Sequence, residues 1–151
     1  MEVRSMIWRS RQAVLSVAAV VVVCAALPTS AQVNPAAVSV RLIVADNSTE
    51  RTQAAGAEDV LPGLQKTYRF ASYRLLAKKS LRITPGAKVA LPEGFIIRVS
   101  RLVGDAFYAD IQSRGKVFMR PRLKLVPGQP ISFGGFPAGK GGSYIIVFSV
   151  P

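Results

Sequence analysis

The segment 144–150, with the sequence YIIVFSV, decides how the rest of the chain is interpreted. All of its residues except Ser149 are β-branched or aromatic, and polar residues do not alternate with them. A short apolar run without alternation is typical of a strand that is buried on both faces. We therefore predict a central strand here. The alternative is an exposed strand that pairs with a partner subunit by edge addition, which Pro151, directly after the run, would limit.

The region that precedes this segment consists of short runs of alternating apolar and polar residues. A turn containing Gly or Pro follows each run. This spacing is typical of an antiparallel meander or sandwich. The predicted strands occupy 88–91, 95–103, 106–112, 116–126, 129–133 and 143–150.

The sequence between 38 and 84 predicts a strand, a loop, a short helix and a further strand. Residues 38–44 alternate as in a half-buried strand, and the polar segment 46–57 predicts a mobile loop. An amphipathic helix follows within 58–68; Pro62 fits only in its first turn, so the helix should begin near Asp59 or Leu61. Segments 72–77 and 81–84 predict strand, with a solvent-facing edge or bulge between them at Lys78 and Lys79.

These elements together predict an α+β fold. One short amphipathic helix would accompany a predominantly antiparallel β-sheet, arranged as a meander or a sandwich. The predicted domain is single and covers 38–151, after a flexible mature N-terminus at 32–37.

The first 31 residues have the layout of a secretory signal peptide. Arginines precede an Ala- and Val-rich run at 13–27, and small residues precede Gln32. We expect cleavage after Ala31 and export to the periplasm or outer envelope, the alternative being an uncleaved N-terminal anchor. Cys24, the one cysteine, lies in this segment. The mature chain would therefore have neither a disulfide nor a thiolate site.

The composition argues against common catalytic chemistry. The chain has no His, so the commonest general base and metal ligand are missing. We predict a non-enzymatic protein without catalytic residues, cofactor or metal. A two-carboxylate hydrolase is the alternative, and it would require two of the scattered acids to meet in a cleft. These acids are Asp46, Glu50, Glu58, Asp59, Glu93, Asp105 and Asp110.

The segment 134–141 formally matches part of a phosphate-binding loop. However, Gly141 stands where such a loop carries Ser or Thr, and the residues after it predict a strand instead of a helix. We interpret the segment as a glycine-rich connection between two strands.

The net charge of +12 points to acidic partners. If 116–125 were one strand, alternate residues would place four cations and one aromatic ring on a single face. That basic stripe is the predicted anion- or partner-binding site, and its residues are Lys116, Phe118, Arg120, Arg122 and Lys124.

A second concentration of positive charge could join the stripe. Anionic lipid, polyanionic glycan or an acidic protein would suit such a surface, whereas nucleic acid is not predicted because no aromatic stacking platform is evident. The other interpretation is a solvated sheet face. The second cluster consists of Arg69, Arg74, Lys78, Lys79, Arg82 and Lys88.

The segment 123–135, together with 144–148, resembles the β-domain of outer-membrane secretins. In both, a strand, a Gly-Gln turn, a short apolar strand with Gly-Gly and a final apolar strand follow one another. The chain is also similar to small exported bacterial proteins of unknown function, with the sequence SYRLL at 72–76. These resemblances imply a protein-interaction module with an envelope protein partner, accessory to a secretion or envelope complex, and they imply no catalytic residue. They leave the oligomeric state open.

Overall fold

The computed structural model describes residues 36–52 and 55–151. The predicted signal peptide, its cleavage point and residues 32–35 lie outside these ranges. One α-helix and nine strands make up the described chain, which confirms the predicted α+β class. In chain order the elements are β1 Ala37–Asp46, α1 Leu61–Tyr68, β2 Ser72–Arg82, β3 Lys88–Ala90, β4 Phe95–Val103, β5 Ala106–Ser113, β6 Lys116–Met119, β7 Arg122–Leu123, β8 Ile131–Pro137 and β9 Ser143–Ser149.

The strands form two antiparallel sheets. The first sheet has the order β2-β1-β9-β8, and the second has the order β3-β4-β5-β6 with β7 also paired to β5. A core between the sheets contains Val40 and Phe148 from the first and Ile97 and Phe107 from the second. The arrangement is therefore a sandwich whose second sheet is a meander.

The first sheet is buried on both faces at its centre. In β9, Ile146 and Phe148 face the second sheet, while Ile145 and Val147 pack toward α1. The prediction of a central strand at 144–150 is confirmed, because β9 lies between β1 and β8. Since both of its edges are paired within the chain, the alternative of an exposed pairing strand is wrong.

The prediction that β1 is half-buried is wrong. Ile43 and Ala45 join the helix-side core, so both faces of the strand are covered. Arg41 lies among them with 5 % exposure, and its Nη1 donates to Asp59 Oδ2 at 3.0 Å. The alternation of polar and apolar residues in β1 therefore does not indicate a solvent-exposed face, because α1 and the loop before it cover that face.

The helix and its neighbours follow the sequence closely. Helix α1 begins at Leu61 with Pro62 in its first turn, and Leu64 is its buried residue. Strand β2 is an edge strand, as the lysine pair indicated. No bulge lies at the lysines, since Lys78 and Lys79 pair regularly with β1; the irregularity of register is at Leu76. The two predicted strands, 72–77 and 81–84, are one continuous strand that ends at Arg82.

Two strand boundaries in the second half differ from prediction. The run 116–126 is not one strand, because β6 ends at Met119 and β7 comprises only Arg122–Leu123. The strand predicted at 129–133 begins instead at Ile131 and extends to Pro137, through a bulge in which Gly134 and Gly135 stand opposite Ile145. Gly134 is needed there because a Cβ at this residue would lie 2.3 Å from Tyr68 Cε1.

Candidate functional site

The two sides of the sandwich differ in what their edge strands expose. On one side, which we call the closed side, β2 lies beside β3, and Lys79 Nζ donates to the Ala90 carbonyl at 2.6 Å. On the other, which we call the open side, β6 and β8 are the edges, and Phe118 contacts Phe136 with ring centroids 5.7 Å apart. The open side carries the candidate site.

Strand β6 exposes three consecutive apolar side chains. The exposed fractions are 42 % for Val117, 57 % for Phe118 and 36 % for Met119. The strand is paired on one side only, with β5. An unpaired strand edge with exposed apolar residues can add a further strand from a partner.

The turn before β6 determines which backbone groups face outward. Ser113 and Lys116 are partners across a two-residue turn, and Arg114 and Gly115 both have positive φ (50° and 79°), as a type I′ hairpin requires. The residues flanking such a turn form a hydrogen-bonded pair, and the next pair does not. We therefore expect the N–H and C=O of Val117 to point to the free edge.

A cleft of about 410 Å³ opens beside β6 at one end of the sandwich. Four aromatic rings line it in edge-to-face contact: Phe118 with Phe136, Phe136 with Phe95 at 5.4 Å, and Phe95 with Tyr144 at 5.5 Å between centroids. Lys116 and Phe118 both line the cleft. A strand added to β6 would place side chains at its mouth, since neighbouring strands share their faces.

The charged residues around the cleft come from tight turns. Glu93, with φ 64°, and Arg114 both line it. Among the described residues, neither Arg114 nor Lys116 takes part in an ion pair. The cleft thus offers two unpaired cations next to aromatic surface, a combination suited to an acidic and apolar segment.

Tyr144 is the titratable group most affected by this environment. Burial raises the pKa of its hydroxyl, and the negative charge of Glu93 and a hydrogen bond with that carboxylate raise it further, while Arg114 opposes the shift. The tyrosine therefore keeps its proton to a higher pH than an exposed tyrosine does, and its hydroxyl can donate or accept a hydrogen bond in the cleft.

The basic stripe predicted from sequence does not form a single face. Lys116 and Phe118 line the cleft, whereas Arg122 lies opposite Tyr108 on the outer face of the second sheet. The reason is the bulge between Ile111 and Gln112 of β5 and the break between β6 and β7, which interrupt the alternation. The prediction that the five side chains share one face is wrong.

The two remaining cations of the stripe form ion pairs with acidic side chains. Arg120 Nε lies 3.2 Å from Asp110 Oδ1, and Lys124 Nζ lies 2.5 Å from Asp105 Oδ2. The hydrogen bond from Lys124 and its charge lower the pKa of Asp105. These two cations are less available to an outside anion than the sequence suggested.

The second cluster is also divided. Lys78, Lys79 and Arg82 lie on β2 and Lys88 on β3, while Arg74 forms ion pairs with Asp46 at 3.5 Å and Glu50 at 3.7 Å. The stripe and the second cluster therefore do not merge, except that Lys88 and Arg122 share the outer face of the second sheet.

The glycine-rich segment is not a phosphate-binding loop. Strand β9 follows it, as expected, and Gly142 N donates to the Gly139 carbonyl at 2.8 Å within the turn. Of the four glycines in 134–141, Gly134 and Gly135 lie inside β8, so only the later two belong to the connection between the two strands.

The acids of the described chain are distributed over separate contacts. Asp59 pairs with Arg41, Asp110 with Arg120 and Asp105 with Lys124. Within residues 36–52 and 55–151, no three acidic side chains come together as metal ligands would. Asp46 and Glu50 both pair with Arg74, and Asp46 lines a cleft together with Glu93.

No pattern in the sequence indicates that Glu93, Arg114 and Tyr144 line one cleft. The signal for two of them was present, since Pro-Glu-Gly and Ser-Arg-Gly mark tight turns whose charged residue takes positive φ. Their convergence depends on which ends of the two sheets meet, and no local pattern states that.

The chain matches no protein-family model, no curated protein and no solved structure. In the described part of the chain, no helix has the length and apolarity to cross a membrane.

Proposed function

We propose that this protein is a non-enzymatic interaction module that binds an extended segment of an envelope protein through the free edge of β6. The observation that carries the proposal is the run Val117, Phe118 and Met119, exposed on an edge strand that has one partner. Main-chain hydrogen bonds to β6 would supply affinity, and the adjacent cleft would select side chains.

The chemistry of the partner follows from the cleft. Four aromatic rings favour an aromatic or large aliphatic side chain, and Arg114 and Lys116 favour a carboxylate close to it. The signal-peptide pattern at 1–31 and the resemblance to the secretin β-domain support an exported protein of the periplasm or outer envelope, accessory to a secretion or envelope complex.

The test is affinity capture from envelope extracts with a variant that blocks the edge. Val117→Pro removes the N–H that we expect to face outward, without removing a donor from the β5 ladder. Val117→Thr is the matched control, because it keeps the N–H and the β-branched shape. Capture is performed at low and at high salt, since apolar edge pairing should persist where charge contacts are screened.

A partner retained at high salt by the native chain and by Val117→Thr, and lost with Val117→Pro, supports the proposal. Circular dichroism of each variant must show an unchanged unfolding temperature. Equal recovery of that partner by all three proteins would exclude β6 as the binding edge.

A further inference from the structure

The outer face of the second sheet carries two rows of charged and aromatic residues. Arg98 is the register partner of both Lys88 and Asp110, so these three side chains share a face. Their neighbours along the strands, Ile97 and Ile111, belong to the core between the sheets. The row therefore points away from the core, and Arg120 joins it through its ion pair with Asp110.

The second row lies beside the first. Tyr108 is the register partner of Arg101 on β4 and of Arg122 on β7. The guanidinium carbon of Arg101 lies 4.7 Å from the centroid of the Tyr108 ring, a stacked arrangement that holds the cation in place. The two rows contain one acid, Asp110, and a second acid, Asp105, lies at the end of the face, where the charge of Arg122 helps to lower its pKa. The rows bring five cations to this face; they are Lys88, Arg98, Arg101, Arg120 and Arg122.

Apolar side chains lie at the ends of the same face. Val103 is paired with Ala106 and Val117 with Gln112 on the outward side, and both valines are exposed. Helix α1 packs on the first sheet. In the part of the chain that the structure describes, no helix lies over the outer face of the second sheet.

We propose that this face docks on the surface of an anionic bilayer. The cations other than Arg120, which is paired with Asp110, would contact lipid phosphates. Tyr108 would lie at head-group level, and Val103 and Val117 would reach the acyl boundary. A broad sheet face with apolar residues at its ends matches the shape of a bilayer better than that of a single polyanionic chain. The proposal is independent of strand addition at β6.

The test measures co-sedimentation of the protein with vesicles of equal parts phosphatidylglycerol and phosphatidylcholine, and with vesicles of phosphatidylcholine alone. Arg101→Gln combined with Arg122→Gln should weaken binding to the anionic vesicles roughly 25-fold, or roughly fivefold for each arginine. Arg120 is left unchanged because it neutralises the buried Asp110. Lys78→Gln combined with Arg82→Gln is the matched control, since it removes the same charge from β2.

Binding to the anionic vesicles alone, with a large loss in the first variant and less than about a threefold loss in the control, supports the proposal. Equal losses in the two double variants would show general charge attraction and would overturn it. Absence of vesicle binding overturns it as well, and binding of heparin in that case would assign the face to a polyanionic glycan. Val117 belongs to both surfaces, but Arg101 and Arg122 lie outside β6. The arginine variant therefore tests this face without changing the β6 edge, and its failure leaves the proposal of strand addition intact.

Discussion

The closed side and the open side of the sandwich present opposite surfaces to solvent. On the closed side, Lys78, Lys79 and Arg82 follow one another along β2, and the facing edge β3 has only three residues. On the open side, β6 exposes consecutive apolar residues and an aromatic cleft. Both sides are sheet edges of one small sandwich, so topology does not account for the difference.

The difference indicates that one edge is protected and the other is left available. Short edges, lysines and bulges are the devices by which proteins prevent strand addition, and the closed side combines all three. The open side has bulges in β5–β6 and β8–β9, but its exposed positions are Val, Phe and Met. The predictions below test whether the two sides differ in function, in stability, or in both.

The largest expected effect is a loss of stability on the closed side that has no equal on the open side. Leu81, on β2, is fully buried in the core between the sheets, so Leu81→Ala should lower the free energy of unfolding by about 2–5 kcal/mol. Phe118→Ser should lower it by less than about 1.5 kcal/mol, because the exposed ring of Phe118 packs edge-to-face on Phe136 and is otherwise largely in solvent. Urea denaturation measures both values.

The two substitutions should affect capture of the partner in the reverse order. Phe118→Ser should abolish capture in the absence of urea, while Leu81→Ala should retain it as long as the chain is folded. If Phe118→Ser lowered the free energy of unfolding by about 2 kcal/mol or more, this ring would be part of the core and the open side would not be an available surface.

The second prediction concerns the bulge at the open edge. Gly134→Ala places a Cβ within 2.3 Å of Tyr68 Cε1, so the ring or the strand must move, at a cost of about 1–3 kcal/mol. Tyr68→Leu should remove much of this cost, because the atom that clashes is absent. The double variant should therefore lose less stability than the sum of the two single losses, and the double-mutant cycle measures that difference as the coupling energy. Additive losses would show that the glycine is required for its backbone alone.

The fold was largely predictable because its signals are local. The uninterrupted run at 144–150 indicated the central strand, and Pro62 indicated the first turn of α1. The burial of Arg41 was not predictable. Its environment depends on α1 lying over β1, and the alternating pattern of 38–44 is compatible with one covered face or with two.

The site was predictable in part, because alternation fails where strands bulge. Lys116 and Phe118 were correctly placed on one side. The bulge opposite Ile111 redirects the residues that follow, and the strand is interrupted after Met119. Arg98 and Arg101 were not singled out, since they lie on a strand separate in sequence from Arg122. Only the register of β4 and β7 on the two sides of β5 brings them together around Tyr108.

The third prediction uses the raised pKa of Tyr144 at the open-side cleft. In the unfolded chain this hydroxyl ionises near its ordinary pKa of 10.0, whereas in the folded chain it keeps its proton to higher pH. The unfolded state then binds fewer protons, so the free energy of unfolding should fall as pH rises above 10, by at most about 1.4 kcal/mol per pH unit for this group.

The measurement is urea denaturation between pH 9 and pH 11. Tyr144→Phe should show a shallower decline than the native chain, because it has no proton to release. Tyr108→Phe on the outer sheet face is the comparison that leaves the cleft unchanged. Parallel declines in the native chain and in Tyr144→Phe would show that Glu93 and burial do not perturb this hydroxyl.

The smallest expected effect on stability lies on the closed side, at Lys79. Its hydrogen bond to the Ala90 carbonyl is exposed, so Lys79→Thr should change the free energy of unfolding by no more than about 0.5 kcal/mol.

The same substitution removes a positive charge that discourages strand addition at β2. Sedimentation equilibrium should therefore show self-association of Lys79→Thr at lower protein concentration than for the native chain. Val117→Lys, which adds a charge to the open edge, should shift self-association to higher concentration. If Lys79→Thr instead lost more than about 1.5 kcal/mol without associating, the lysine would hold the two sheets together, and the contrast between the two sides would be one of packing and not of protection.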